Sequence, residues 1–185
     1  MITRSQHNHA LDWSWNALNN CGLKFRDVER AQIEVADFGL SRLEQIGAQI
    51  LTLESTPWVS VKILVMMPWQ LEPQHRHPPS LDGNYPGKTE VLRCQWGELL
   101  HYDGGAPAIS PRARPTPQDA AYLNVCREMI LSPGHQLTLA PDTWHWFQAG
   151  PQGAVVWTIS SKVTDNADQW VDPRIVRQTV IQEDS

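Results

Sequence analysis

PQHRHPPSLDGNYPGKTEVLRCQWG, residues 73–97, is the stretch on which the reading of this chain turns. It opens with His75 and His77, two imidazoles separated by one residue. Side chains on a β-strand alternate between faces with period two, so both imidazoles point the same way. Glu90 follows after a loop rich in Pro and Gly, and a second stretch, LAPDTWHWFQAG (residues 139–150), adds His145. A carboxylate and a third imidazole from neighbouring strands complete a half-shell of ligands and leave coordination positions open. Three nitrogens and one oxygen suit Mn, Fe, Ni or Zn, and open positions point to catalysis rather than to a structural plug. The expectation is one metal site, His75, His77, Glu90 and His145, split between two pieces of sequence.

Outward from these stretches the chain reads as strands. AQILTLES (48–55), WVSVKILVMMP (58–68) and the run from Gln70 to His77 are short, β-branched or alternating, and bounded by Pro. PPSLDGNYPGK (78–88) is a loop. TEVLRCQWGELLHYDGG (89–105) reads as a strand or a hairpin turning near Trp96–Gly97, and GAPAISPRARPTPQD (105–119) as a solvated Pro-rich loop. AYLNVCREMIL, HQLTLAP, WHWFQAG and GAVVWTISS are further strands. Many short strands punctuated by turns predict an all-β fold, an antiparallel sandwich or barrel.

An N-terminal helix precedes the strands. Thr3 and Gln6 form a capping-box pair, Leu11, Trp15, Leu18 and Cys21 recur at helical spacing, and Gly22 is a natural stop. This helix is expected to pack across a sheet or a dimer partner. His7 and His9 sit near its start, where residues two apart do not share a face. The pattern from Leu23 to Gly47 admits a short helix or a turn, and the tail DNADQWVDPRIVRQTVIQEDS is expected to wrap over the domain. The chain is thus read as a single domain, 1–185, with a helix over about 1–22, a core over about 48–162 and a tail over 163–185.

Composition narrows the function. A formal net charge of −5 argues against a nucleic-acid footprint. No apolar run is long enough to span a bilayer, and MITRSQHNHALDW lacks the apolar centre of a signal peptide, so a cytoplasmic protein with no membrane partner is expected. Cys21, Cys94 and Cys126 are odd in number and lack metal-binding spacing, which fits reduced thiols. Trp69, Trp96, Trp144, Trp146 and Trp157 flank the candidate site, either as core filler or as aromatic walls for a sugar-like ligand.

The motifs combine into a resemblance. H-x-H, then E-x6-G from Glu90 to Gly97, then Gly134, Pro141 and His145 on one strand, resemble the two-part cupin signature. This implies a cupin-type antiparallel β-sandwich, or jelly-roll barrel, behind the N-terminal helix. EPQHRHP, GKTEVLRCQWGE, LAPDTWHWFQAGPQGAVV and TDNADQWVDPRI together resemble the D-lyxose isomerase family over roughly Asp37 to Ile175. The resemblance implies interconversion of D-lyxose with D-xylulose, slower conversion of D-mannose and D-fructose, a Mn²⁺ requirement and a homodimer. It puts the metal ligands on His75, His77, Glu90 and His145, and a functional lysine on Lys88. Asp168 and Glu128 match further family carboxylates and are candidates for proton transfer.

One position departs from the family. The strand after GAVV usually carries a glutamate that acts in proton transfer; here Thr158 stands in its place. A threonine hydroxyl is too weak a base at neutral pH. Another group then acts as base, or the cupin acts on a different sugar or by different chemistry, or it binds sugar without turning it over.

Overall fold

The computed structural model describes residues 1–161 and 165–184. A two-residue strand β1 (Ile2–Thr3) leads directly into helix α1 (Arg4–Asn20). The Thr3 hydroxyl accepts from the Gln6 amide at 3.1 Å, and the Gln6 side chain accepts from the Thr3 amide at 2.9 Å. This reciprocal cap is worth about 1 kcal/mol. Gly22, at φ 84°, takes the left-handed conformation that ends the helix.

The buried face of α1 is only partly the expected one: Leu18 and Cys21 are buried, and Leu11 and Trp15 pack at its edge. Ala10, Ser14, Ala17 and Leu18 face the sheet, while Leu11 and Trp15 are only half-buried. Small residues let the helix axis approach the strands closely, and the large side chains flank the contact. The helix covers Ile33, Leu51, Ile63, Val65 and Val155 of its own chain, so Trp13 and Trp15 serve this packing.

The segment left open by the sequence holds a one-turn helix α2 (Asp27–Arg30) and strand β2 (Ile33–Ala36). Strands β3 (Ala48–Ser55), β4 (Val59–Met66) and β5 (Leu71–Arg76) follow where expected. Next come β6 (Glu90–Asp103), a one-turn helix α3 (Pro117–Ala120), β7 (Arg127–Leu131), β8 (Gln136–Leu139) and β9 (His145–Ser161). The tail adds β10 (Gln169–Trp170) and β11 (Ile181–Gln182). It wraps back as expected, since β10 pairs with β5 and β11 pairs with β1 beside the N-terminus. The expected boundary between core and tail at 162–163 lies outside the described residues.

Nine of these strands form one curled antiparallel sheet, and its topology explains the site. The two long strands β6 and β9 pair with each other along their whole length, Glu90 opposite Ser160 and Asp103 opposite His145. Their outer partners change halfway. The first half of β6 pairs with β8 and its second half with β7; the first half of β9 pairs with β5 and its second half with β4. One half-sheet therefore runs β2-β3-β4-β9-β6-β8, and the other β10-β5-β9-β6-β7. The sheet folds over where β6 and β9 bend, which gives the half-barrel of a cupin.

The bend replaces the expected hairpin. Trp96–Gly97 does not turn the chain; it sits in a bulged part of a single strand, with register shifts on either side. Opposite, Gly150 to Gly153 loop out of β9, so WHWFQAG and GAVVWTISS are two limbs of one kinked strand. Gly97 has φ 73°, and a Cβ there would lie 2.1 Å from the Gly153 carbonyl oxygen. Only glycine allows the two backbones this close, which gives the glycine of the E-x6-G motif its physical reason.

Candidate metal centre and active site

Each imidazole is aimed by a hydrogen bond on its far nitrogen. His75 on β5 has Nδ1 2.9 Å from the Pro73 carbonyl, and His145 at the start of β9 has Nδ1 2.9 Å from the Thr143 carbonyl. His77, just past β5, has Nδ1 2.6 Å from Asp168 Oδ1. A carbonyl oxygen can only accept, so His75 and His145 carry their proton on Nδ1 and present Nε2 as a lone pair; His77 lies between two carboxylates and presents Nε2 to a metal once the proton it shares with Glu90 is displaced. The three ligand atoms lie within 4.8 Å of one another. His145 Nε2 is buried and makes no hydrogen bond among the described residues. The arrangement could hold a metal ion, and the donor set suits a divalent one.

Glu90 and Lys88 join the histidines from the other half-sheet. Glu90 begins β6, and its Oε2 lies 3.3 Å from His77 Nε2. Lys88 lies two residues ahead of the strand, is 6% exposed, and places Nζ 3.6 Å from Glu90 Oε1. Gly87 lets this approach close in on the His77 backbone, since a Cβ there would meet the His77 carbonyl oxygen at 2.5 Å.

The electrostatics divide the three imidazoles. Burial, with His145 and His77 adding to it, holds His75 well below its usual range. Burial likewise holds His145 down at about 3. Both are neutral at pH 7 and free to ligate. Burial would lower His77 too, but the Asp168 and Glu90 carboxylates outweigh it and raise that imidazole. Burial would raise Glu90, but Lys88 and His77 hold it well below the carboxylate range.

Asp168 is committed to His77. The pairing of β10 with β5, Gln169 opposite Arg76 and Trp170 opposite His75, brings Asp168 level with His77. A carboxylate on the far nitrogen fixes the tautomer and raises the donor strength of the ring. Asp168→Asn is therefore expected to weaken divalent-metal affinity about 10–100-fold, because an amide oxygen accepts less strongly than a carboxylate. Competition with a fluorescent chelator measures this, and unchanged affinity would remove Asp168 from that role.

The structure does not bring Glu128 to the site. On β7 it pairs opposite Tyr102, which pairs opposite Trp146. Trp146 alternates with the inward-facing His145 and Phe147, so this row of cross-strand partners lies on the outer face. There Glu128 accepts from the Tyr102 hydroxyl, and from the Arg112 amide at 2.7 Å, under the Pro-rich loop. Thr158 is in the cavity wall, 8% exposed and opposite Lys62.

Several lining residues were not singled out from sequence. A cavity opens beside the centre, lined in part by His75, His77, Glu90 and Lys88. Its aromatic lining is Phe38, Phe147 and Trp170; none of the five tryptophans that flank the site in sequence lines it, in keeping with the core-filler alternative. Trp170 packs on the His75 ring at 4.7 Å between centroids. Lys62 and Arg177 also reach it. So does Glu72, which regular alternation would place on the opposite face from His75. β5 carries one extra residue relative to β9 between Glu72 and His75, a bulge at Pro73–Gln74. The bulge resets the parity, so Glu72 and His75 face the same way. Burial, reinforced by the Glu90 charge, pushes the Glu72 carboxyl up to about 8.

Fold and site together define a cupin-like protein with a three-histidine centre in the mouth of its half-barrel. Residues 118–185 match the family model for D-lyxose isomerase. The chain is 41% identical over 177 residues to a D-lyxose ketol-isomerase of Thermofilum sp. (strain ex4484_79), covering 96% of this chain and 97% of the relative. It is 42% identical over 163 residues to the D-lyxose ketol-isomerase of Cohnella laeviribosi, covering 88% of each. Among solved structures, the L-ribose isomerase of Acinetobacter sp. DL28 superposes with a TM-score of 0.80 at 14% identity, covering 98% of both chains. That likeness concerns the fold. The chain belongs to the D-lyxose isomerase family and is an isomerase.

Proposed function

We propose that the protein interconverts D-lyxose and D-xylulose, and more slowly D-mannose and D-fructose, with one Mn²⁺ held by His75, His77, Glu90 and His145. The observation that carries this reading is the set of three imidazole nitrogens within 4.8 Å of one another, one of them 3.3 Å from Glu90, in a chain of this family. Mn²⁺ is the first choice; Zn, Fe or Ni fit the same three-nitrogen, one-oxygen set. A divalent cation there would supply Lewis acidity, polarising the carbonyl and neighbouring hydroxyl oxygens of an open-chain sugar.

The chain's own residues supply the rest. The buried Lys88 ammonium donates a hydrogen bond to the sugar oxygen on which negative charge develops. Thr158 offers its hydroxyl to a sugar hydroxyl. Phe38, Phe147 and Trp170 give the C–H faces of the sugar an apolar wall and keep bulk water from the reacting carbons. The protein is further taken to act as one cupin domain, as a homodimer, in the cytoplasm. Among the described residues no helix is long and apolar enough to cross a membrane; light scattering of the purified protein gives the subunit number.

The test is NMR in D₂O of the Mn²⁺-loaded protein with D-lyxose or D-xylulose. The expected result is interconversion, with deuterium entering C1 of the ketose as the mark of proton transfer. Unchanged sugars would overturn the isomerase reading for this pair. Thr158 in the cavity wall favours one rival, a sugar-binding protein without turnover, for which calorimetry would find pentose binding and NMR no conversion.

A further inference from the structure

We infer that Glu72 is the proton-carrying carboxylate of this isomerase, taking the place of the family glutamate that Thr158 replaces; the inference rests on the isomerase reading above.

Geometry carries it. Glu72 lines the same cavity as His75, His77, Glu90, Lys88 and Thr158. Its Oε1 lies 3.8 Å from His75 Nε2, the nitrogen that faces the metal position. Its Oε2 is buried and has no hydrogen-bond partner among the described residues. A buried carboxylate oxygen without a donor costs several kcal/mol unless a bound group meets it. Here the group would come from the cavity, because the oxygen belongs to a cavity-lining side chain. The other carboxylates near the centre are already engaged: Glu90 contacts Lys88 and His77, and Asp168 holds His77 Nδ1.

The backbone is built to put Glu72 there. Without the bulge at Pro73–Gln74, position 72 would face away from His75. Pro73 has no amide proton to lose from the ladder, and its carbonyl orients His75. Gln74 is turned outward, where its Oε1 accepts from the Asn124 amide at 2.5 Å. One irregularity thus aims a metal-facing imidazole and a carboxylate into the same space, the usual placement of a bulge beside an active site.

The step balances within the substrate. Glu72 takes the proton from C2 of the open-chain aldose. The C–H electron pair becomes the C1=C2 bond, and the carbonyl pair moves to O1, giving an enediolate. The O2 proton passes to O1. Glu72 then returns its proton to C1, the C1=C2 pair forms the new C–H bond, and O2 becomes the ketose carbonyl. No oxidant or reductant is required.

The test compares Mn²⁺-loaded wild type, Glu72→Gln and Glu72→Asp. For Glu72→Gln the expected result is a loss of turnover of about 10²–10⁴-fold. Solvent deuterium should stop entering the sugar, while metal content and pentose affinity stay near wild type. Glu72→Asp keeps the carboxylate on a shorter arm and should recover part of the turnover, which a purely structural role would not predict. Turnover by Glu72→Gln within about tenfold of wild type would overturn the assignment. So would loss of metal from Glu72→Gln, because Glu72 would then be a ligand. An inactive wild type would overturn the isomerase reading and this assignment with it; an active wild type beside an active Glu72→Gln would overturn the assignment alone.

Discussion

His77→Ala is expected to strip the metal and abolish turnover. His77 is the point where the two half-sheets meet at the site: Nε2 lies 3.3 Å from Glu90 on β6, and Nδ1 lies 2.6 Å from Asp168 beside β10. Truncation removes one donor of the proposed four and takes the imidazole contact from Asp168 and Glu90, two buried carboxylates. The loss in metal affinity should exceed the roughly 10–100-fold typical of an outer-shell partner. Elemental analysis after dialysis reads it. Stoichiometric metal in His77→Ala would refute the ligand assignment. Melting of both proteins in excess chelator separates this from misfolding, since a folded apo variant should melt within a few degrees of apo wild type.

Gly97→Ala should produce the largest stability loss of any Gly→Ala substitution in this chain. At φ 73° an L-side chain is strained by about 1–3 kcal/mol. The added Cβ would also lie 2.1 Å from the Gly153 carbonyl oxygen, inside any permitted contact. Backbone on both sides leaves no flexible side chain to yield, so overpacking adds about 1–3 kcal/mol. The sum, about 2–6 kcal/mol, is a large part of a typical total stability of ~5–15 kcal/mol. For a chain of this size it corresponds to a fall in Tm of roughly 5–20 °C. The measurement belongs on metal-free protein, because a bound metal would mask part of the loss. A Tm within about 2 °C of wild type would mean that β6 and β9 do not need this close approach to bend.

Both outcomes bear on what the cupin motif is. Read as sequence, H-x-H and E-x6-G are spacings. In the structure the first is two imidazoles at the end of β5, and the second joins a carboxylate at the start of β6 to the residue where β6 bends. The first limb of β6 brings Glu90 to the histidines from the facing half-sheet, so the bend at Gly97 and the proximity of Glu90 to His77 belong to one construction.

The sequence by itself determined the helix cap at Thr3, the strands β3, β4 and β5, and the pointing of His75, His77 and His145 toward one another. These follow from short-range rules: a cap spans three residues, alternation has period two, and the loops are marked by Pro and Gly. What only the tertiary structure decided depends on register between strands distant in sequence. The bulge between Glu72 and His75 brought in a carboxylate that strict alternation hides. The pairing of Tyr102 with both Glu128 and Trp146 put Glu128 on the outer face. The pairing of β10 with β5 made Asp168 the partner of His77 and laid Trp170, a tryptophan far along the chain, on His75. A one-residue slip in register reverses every side chain in a strand. Local sequence carries the period, but which phase faces the cavity is fixed by the strand alongside.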